Sequence, residues 1–172
     1  MATQTVFYDS KEFPILGRIY VGATEKGLCH LALPGGTVET FFQGLLEHYK
    51  PGFFTQNPEP FQDLYGQIDR YVAGYKIKFE VPLDLRGTTF QLAVWEALQA
   101  IPYGQTRSYG EIARAISRPK ACRAVGQANH RNPLPIVIPC HRVIGAGGDL
   151  VGFGSGLPLK ERLLTLEGKN FA

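Results

Sequence analysis

A thiol, an imidazole and a guanidinium follow one another at Cys140-His141-Arg142, between Pro139 and Val143. A thiol becomes a nucleophile once a nearby base takes its proton, and imidazole suits that task near neutral pH. A lone cysteine is nevertheless more often a buried structural residue, so the surroundings have to decide. Upstream, the apolar and partly β-branched run 133–138 reads as a buried strand. Pro139 would end that strand and leave Cys140 at its tip. Downstream, Gly145-Ala146-Gly147-Gly148 and Gly152-Phe153-Gly154-Ser155-Gly156 form a glycine-rich segment. It lacks the strand–helix frame of a dinucleotide-binding fingerprint and reads instead as a movable wall beside the thiol. The other adjacent pair, Cys29-His30, has no second pair at zinc-site spacing, and both residues read as structural.

Composition narrows the classes. A chain of 172 residues can bury a core as one domain or two small ones. No stretch is long and apolar enough to span a bilayer, and the opening MATQTVFYDSKEF lacks the hydrophobic region of a signal peptide. Three cysteines without framework spacing argue against a disulfide-stapled secreted protein. The expected setting is the reducing cytoplasm, away from membranes. Residues 1–85 hold seven Lys/Arg and ten Asp/Glu, whereas residues 86–172 hold eleven and five. The sign changes at Asp84-Leu85-Arg86-Gly87-Thr88, which reads as a linker between a domain over 1–85 and another over 86–172. A basic C-terminal half fits a polyanionic partner, although a solvated basic face gives the same count.

The elements that must position these residues follow from periodicity. Residues 4–8, 17–23 and 28–33 read as short strands, with a hairpin turn at Glu25-Lys26-Gly27. Thr37 can cap a helix with the apolar face Val38, Phe41, Phe42, Leu45, Leu46 and Tyr49. Residues 51–60 read as a loop. A second helix carries Phe61, Leu64, Tyr65, Ile68, Tyr71 and Val72 and stops at Gly74. The alternation in 76–81 predicts a half-exposed strand.

The half from 86 onward is mostly helical. Capping boxes Thr88…Gln91 and Ser108…Glu111 open two helices, the first facing inward through Phe90, Val94, Leu98 and Ile101, with Trp95 as packing. The helix after Ser108, the break Ser117-Arg118-Pro119 and a helix over 120–128 read as a helix-turn-helix. Ala121, Ala124, Gly126 and Ala128 cannot read base edges, but they would let the helix approach a narrow groove, with Arg123 as the one side chain able to reach in. A buried small-residue helix with a solvated Arg123 fits equally well. Pro158 opens a last helix carrying Leu159, Leu163, Leu164 and Leu166. Glu167 falls at its C-terminal end, an unfavourable place for a carboxylate, so it should have a specific partner.

Pro139-Cys140-His141-Arg142-Val143 resembles the active-site signature of the O6-alkylguanine-DNA alkyltransferases, which reverse guanine alkylation directly. Asn132-Pro133, Arg123 in the small-residue helix, Tyr109 in Ser-Tyr-Gly-Glu-Ile-Ala and Glu167-Gly168 share the family's order and spacing. The resemblance is dense over 88–168 and thinner over the N-terminal half. It implies an α/β protein, with a small ribonuclease-H-like N-terminal domain and a mostly helical C-terminal domain containing the helix-turn-helix. It also implies direct-reversal DNA repair without a cofactor. One alkyl group would pass irreversibly from O6-alkylguanine, with O4-alkylthymine a further candidate, to Cys140 of a suicide methyltransferase.

The same resemblance assigns roles. His141 would take the thiol proton through a bridging water, Glu167 would orient the imidazole, and Asn132 would brace the turn of Cys140. Tyr109 would help rotate the base out and donate to the departing guanine. A monomer would hold double-stranded DNA through the minor groove, with Ala121, Cys122 and Gly126 against it and Arg123 replacing the flipped nucleotide. The carbonyls of Cys140 and Val143 would accept from the guanine amine, and Phe153-Gly154 would close over the base. Asn129 and Ser155 stand where some members carry an apolar residue and a glycine. Thr24 and Cys29 do not reproduce the zinc ligands of some relatives, so no metal is expected. His130 receives no role. Three other readings compete. A non-catalytic alkyltransferase-like lesion binder would lack the acceptor cysteine. A helix-turn-helix regulator would need base-reading side chains. A cysteine hydrolase would need an oxyanion arrangement and a directly bonded Cys–His pair.

Overall fold

Apolar–polar alternation in the first thirty residues builds an antiparallel meander of β1 (Thr5–Phe13), β2 (Gly17–Thr24) and β3 (Gly27–Ala32). The computed structural model describes residues 4–50 and 52–168, in two units, Met1–Arg86 and Gly87–Ala172. In the first unit β1 runs on past residue 8, because Asp9, Ser10 and Lys11 pair with Val21, Tyr20 and Ile19. Thr37 and Thr40 cap each other reciprocally to open α1 (Val38–His48), and α2 (Gln62–Val72) follows a 3-10 turn at Glu59–Phe61.

Strand parity places these two helices on opposite faces of the sheet. Val6 and Tyr8 pack with Phe41, Phe42, Leu45 and Tyr49 on the α1 side. Asp9 accepts a hydrogen bond from Tyr65 of α2, and Phe13 meets the same ring.

Three expectations for this half need correction. The supposed loop 51–60, whose first residue Pro51 lies outside the described residues, contains a fourth strand, β4 (Phe53–Gln56), parallel to β1 at the sheet edge. All four of its residues are exposed, so no burial pattern announces it. Residues 76–81 form no strand. Their alternation is of burial only, and the amide and carbonyl of Glu80 bond to the Gln67 side chain instead of to a neighbouring strand. On α1 the buried stripe is narrower than expected: Val38 and Leu46 are 37% and 51% exposed, while Phe41, Leu45 and Tyr49 are buried.

The second unit packs α3 (Thr89–Gln99), α4 (Tyr109–Ala115) and α5 (Cys122–His130) against one another. Both capping boxes form, Thr88 with Gln91 and Ser108 with Glu111. The Trp95 indole donates 2.9 Å to the Ala128 carbonyl, joining α3 to α5 through a buried hydrogen bond. Between α4 and α5 the chain reverses through Ser117, a left-handed residue at φ 59°. The following turn takes up Lys120 and Ala121, so α5 starts two residues later than expected. A short parallel pair, β5 (Arg107–Ser108) with β6 (Val143–Ile144), and α6 (Leu157–Leu166) complete the unit. No helix among the described residues is long and apolar enough to cross a membrane.

The stretch before the thiol also departs from expectation. Residues 133–138 are buried almost throughout, yet they are not a strand. Pro133 and Pro135 offer no amide donor, Ile136 is left-handed at φ 76°, and the Ile138 amide bonds 2.8 Å back to the Leu134 carbonyl. The run is a folded turn, and Cys140 begins a 3-10 turn (Cys140–Arg142) instead of standing at a strand tip.

Candidate active site

Asn132 organises this turn. Its Nδ2 donates 2.7 Å to the Ile138 carbonyl and its Oδ1 accepts 2.9 Å from the Leu134 amide, so one side chain ties both ends of the loop that presents Cys140. The Cys140 amide closes on the Ile138 carbonyl at 2.7 Å. Cys140 is 5% exposed, and burial pushes its thiol upward, opposed by the Asn132 side chain, the Lys160 charge and local backbone amides.

The turn directs His141 and Arg142 inward onto Glu167, the residue that caps α6. His141 Nε2 lies 2.7 Å from Glu167 Oε1. Arg142 donates through Nε to Oε2 at 2.8 Å and through its Nη2 to Oε1 at 3.0 Å. Its Nη1 reaches the Ile101 carbonyl at 2.7 Å. Burial pushes Glu167 up, but the hydrogen bonds from His141 and Arg142 and the Arg142 charge outweigh it and hold the carboxyl well below its ordinary value, at about 2. Burial also keeps His141 below its ordinary value, although Glu167 pulls the other way. The Arg142–Glu167 contact is therefore the ion pair. The His141–Glu167 contact is a hydrogen bond from a neutral imidazole, which leaves the ring able to accept a proton.

A cavity of about 110 Å³ opens beside the thiol. Cys140, Asn132 and Pro135 form one side, Tyr109, Gly126, Asn129 and His130 another, and the segment 152–155 the third. Pro135 and His130 belong to it without having been singled out as pocket residues. Asn129 is buried and its Nδ2 makes a long 3.5 Å contact with the Cys140 carbonyl. Val143 is fully buried and does not line the cavity; its carbonyl accepts from Lys160 Nζ, and that of Cys140 accepts from the Val143 amide. Both carbonyls thus already have a donor within the protein.

Tyr109 and Gly126 also line an open groove along α5, together with Cys122, Arg123, Gln127, His130 and Arg131. Gly126 faces the Tyr109 ring, where a Cβ would make ordinary contact at 3.8 Å. Arg123 is exposed on the groove side and does not reach the thiol cavity, and Ala121 is half-buried at the head of the helix. Residues 107–131 contain Arg107, Arg114, Arg118, Lys120, Arg123 and Arg131 against a single acid, Glu111, whose carboxylate is occupied by its capping box. Of these, Arg123 and Arg131 line the groove itself, and Tyr109 stands between it and the thiol. Among the described residues no group of three or more His, Cys, Asp or Glu side chains could hold a metal ion.

Two buried cations were not assigned from the sequence. Arg142 was visible inside the signature, and its partner could have been inferred from the misplaced carboxylate at 167. Lys160 lies on the apolar stripe of α6 with Leu159, Leu163 and Leu164, and a lysine in such a stripe was the available signal.

Two family descriptions match the chain: the 6-O-methylguanine DNA methyltransferase ribonuclease-like domain over residues 6–85 and the DNA binding domain of the same family over 89–169. The methylated-DNA–protein-cysteine methyltransferase of Methanosarcina acetivorans is 47% identical over 163 residues, covering 95% of this chain and 99% of that protein. This chain belongs to the methylated-DNA–protein-cysteine methyltransferase family. The relative of that name from Mycobacterium tuberculosis is 51% identical over 140 residues, 80% of this chain and 85% of its own length. The crystal structure of Mycobacterium tuberculosis OGT in complex with DNA superposes with a TM-score of 0.80 at 44% identity, covering 94% of this chain and 92% of that one. The mixed α/β architecture, with a small sheet unit followed by a helical unit, is thus that of the methyltransferase family.

Proposed function

We propose that this chain repairs alkylated DNA by direct reversal, with Cys140 as the acceptor that keeps the alkyl group. The observation that carries the residue assignment is the convergence of a buried thiol, a neutral imidazole and an ionised carboxylate beside a cavity that a base could enter. DNA binds through the basic helix-turn-helix. The minor groove is the groove that suits α5, because Ala121, Cys122, Ala124 and Gly126 present little bulk while Arg123 projects. The substrate is O6-alkylguanine. The base leaves the stack, Arg123 fills its place, and Tyr109 guides the base from the groove into the cavity. The working unit is a monomer in the cytoplasm.

The chemistry is a displacement at the alkyl carbon. With Nε2–H held by Glu167, Nδ1 of His141 is the acceptor in the neutral ring and takes the Cys140 proton, directly or through one water. The thiolate then forms a carbon–sulfur bond as the carbon–O6 bond breaks. The electron pair stays on guanine, and Tyr109 donates a proton or hydrogen bond to the leaving base. The imidazolium that results is stabilised by Glu167. Asn132 holds the loop, while Phe153, Gly154, Ser155 and Asn129 shape the space for the base and its alkyl group. A thioether has no leaving group that would return the thiol here, so each chain acts once.

Intact-protein mass spectrometry after incubation with a duplex containing O6-methylguanine tests this. One added methyl per chain, none with undamaged duplex, is expected. Tight lesion binding without any mass gain would place the chain among non-catalytic lesion binders.

A further inference from the structure

Lys160 is the one fully buried lysine among the described residues, and lysine is rarely buried unless paired. No carboxylate among the described residues forms an ion pair with it. Its ammonium is held by carbonyls alone: Val143 at 2.5 Å, Val151 at 2.8 Å and Gly152 at 3.4 Å. These carbonyls belong to two different parts of the site. Val143 follows the turn that carries Cys140, and Val151-Gly152 lead into the segment that walls the cavity. The Val151 carbonyl also accepts from the Tyr109 hydroxyl at 3.3 Å.

A buried cation without a counter-ion is costly unless a charge appears nearby to offset it. The group able to supply that charge is the Cys140 thiol. A thiolate there favours the charged ammonium, and the ammonium in turn favours the thiolate while disfavouring a proton on His141. Burial holds Lys160 down to about 8, so it is charged at neutral pH. The other groups facing this region are His141, Arg142 and Tyr109. His141 is neutral, Arg142 is neutralised by Glu167, and Tyr109 is pushed upward by burial and by Cys140. On α6 itself Glu161 and Arg162 are exposed.

We infer that Lys160 is a positioning residue for alkyl transfer: its ammonium fastens the cavity wall to the Cys140 turn and supplies the positive charge that the thiolate needs when it forms. This rests on the reading of Cys140 as acceptor. In a neutral protein interior the thiolate would otherwise have only dipoles to meet it, and each unit by which its pKa rises costs a factor of about ten in thiolate.

The test is the single-turnover rate of methyl transfer from an O6-methylguanine duplex, followed from pH 6 to 10 for the wild type, Lys160→Gln and Lys160→Met. Gln keeps a donor without the charge; Met keeps the length without either. Both variants should be slower by about tenfold or more at pH 7. That deficit should shrink as rising pH supplies thiolate, with duplex affinity within about twofold of wild type. An equal loss at every pH, or no loss, overturns the inference.

Should the variants not fold, the wild type provides a reciprocal test. Capping Cys140 as its methyl thioether should lower the titration midpoint of Lys160, followed by NMR of the lysine side chains, and an unchanged midpoint overturns the inference. A wild type that transfers no methyl would instead remove the assignment of Cys140 itself.

Discussion

The dipeptide Cys-His occurs twice in this chain, once in each unit, and both copies have a buried thiol in very different surroundings. Cys29-His30 lies on β3, where successive side chains point to opposite faces, so the thiol and the imidazole diverge. Cys29 enters the core with Val6, Phe41, Leu45 and Tyr49, and burial followed by the Asp84 charge pushes it up to about 12. His30 packs on the Phe41 ring, and burial and then His48 push it down to about 4. Cys140-His141 lies on a 3-10 turn instead. There the thiol borders a cavity, the imidazole bonds to a carboxylate, and the charge of a buried ammonium favours the thiolate. Burial acts on both pairs in the same direction; what separates them is that the Arg86 charge on Cys29 is opposed by Asp84, whereas Cys140 has the Asn132 side chain and the Lys160 charge, and His141 has Glu167.

Exchanging the thiols should break the comparison most sharply. Cys140→Ser is expected to abolish methyl transfer, at least about 10⁴-fold in single-turnover assays given how poor an alkoxide source serine is beside a thiolate. Cys29→Ser should leave the transfer rate intact and lower only the unfolding midpoint, because a hydroxyl then sits in the apolar core.

Removing the partner of the second pair comes next. Glu167→Gln leaves Arg142 buried without its counter-ion, and should cost about 3–5 kcal/mol in denaturant unfolding. It should also slow transfer, since the imidazolium loses its stabilising charge. In the wild type the carboxylate's contribution is complete above its ordinary value of 4.5 and declines as pH falls from there toward about 2. An unfolding free energy that stays flat from pH 5 to 2 in the wild type, relative to Glu167→Gln, would contradict this.

A smaller effect concerns the histidine of the first pair. His30 has a folded value of about 4 against an ordinary 6.5, so the unfolded chain binds the proton more readily. Stability from neutral His30 is complete above pH 6.5 and is lost as pH falls through that value toward 4. NMR of the His30 ring should show no titration near 6.5 and a midpoint close to 4. The smallest difference is kinetic. A neutral thiol reagent should modify exposed Cys122 first, Cys140 at its cavity more slowly, and Cys29 only on unfolding. Labelling Cys29 before Cys140 would reverse the comparison.

Much of this contrast could be read from residue order, and the parts that could not have physical causes. The helices and both capping boxes of the second unit were legible because apolar spacing and cap chemistry are local. The partner demanded by Glu167 was legible as a conflict with the helix dipole. β4 was hidden because an exposed edge strand of four residues has no burial pattern. Residues 76–81 misled because alternation fixes which side chains face inward, not whether a neighbouring strand takes the amides. Residues 133–138 misled because an apolar run signals burial but not extension; two prolines and a left-handed isoleucine fold it into the turn that presents the thiol. The sequence marks Lys160 only as a lysine in an apolar stripe, because its partners are main-chain carbonyls and these leave no mark there.

The most direct measurement is peptide mapping by mass spectrometry after reaction with an isotopically labelled O6-methylguanine duplex, which asks which of three cysteines holds the methyl group. The expected result is the label on Cys140 alone, at one per chain, with Cys29 and Cys122 unmodified. Label on either of those cysteines, or on none, would contradict it.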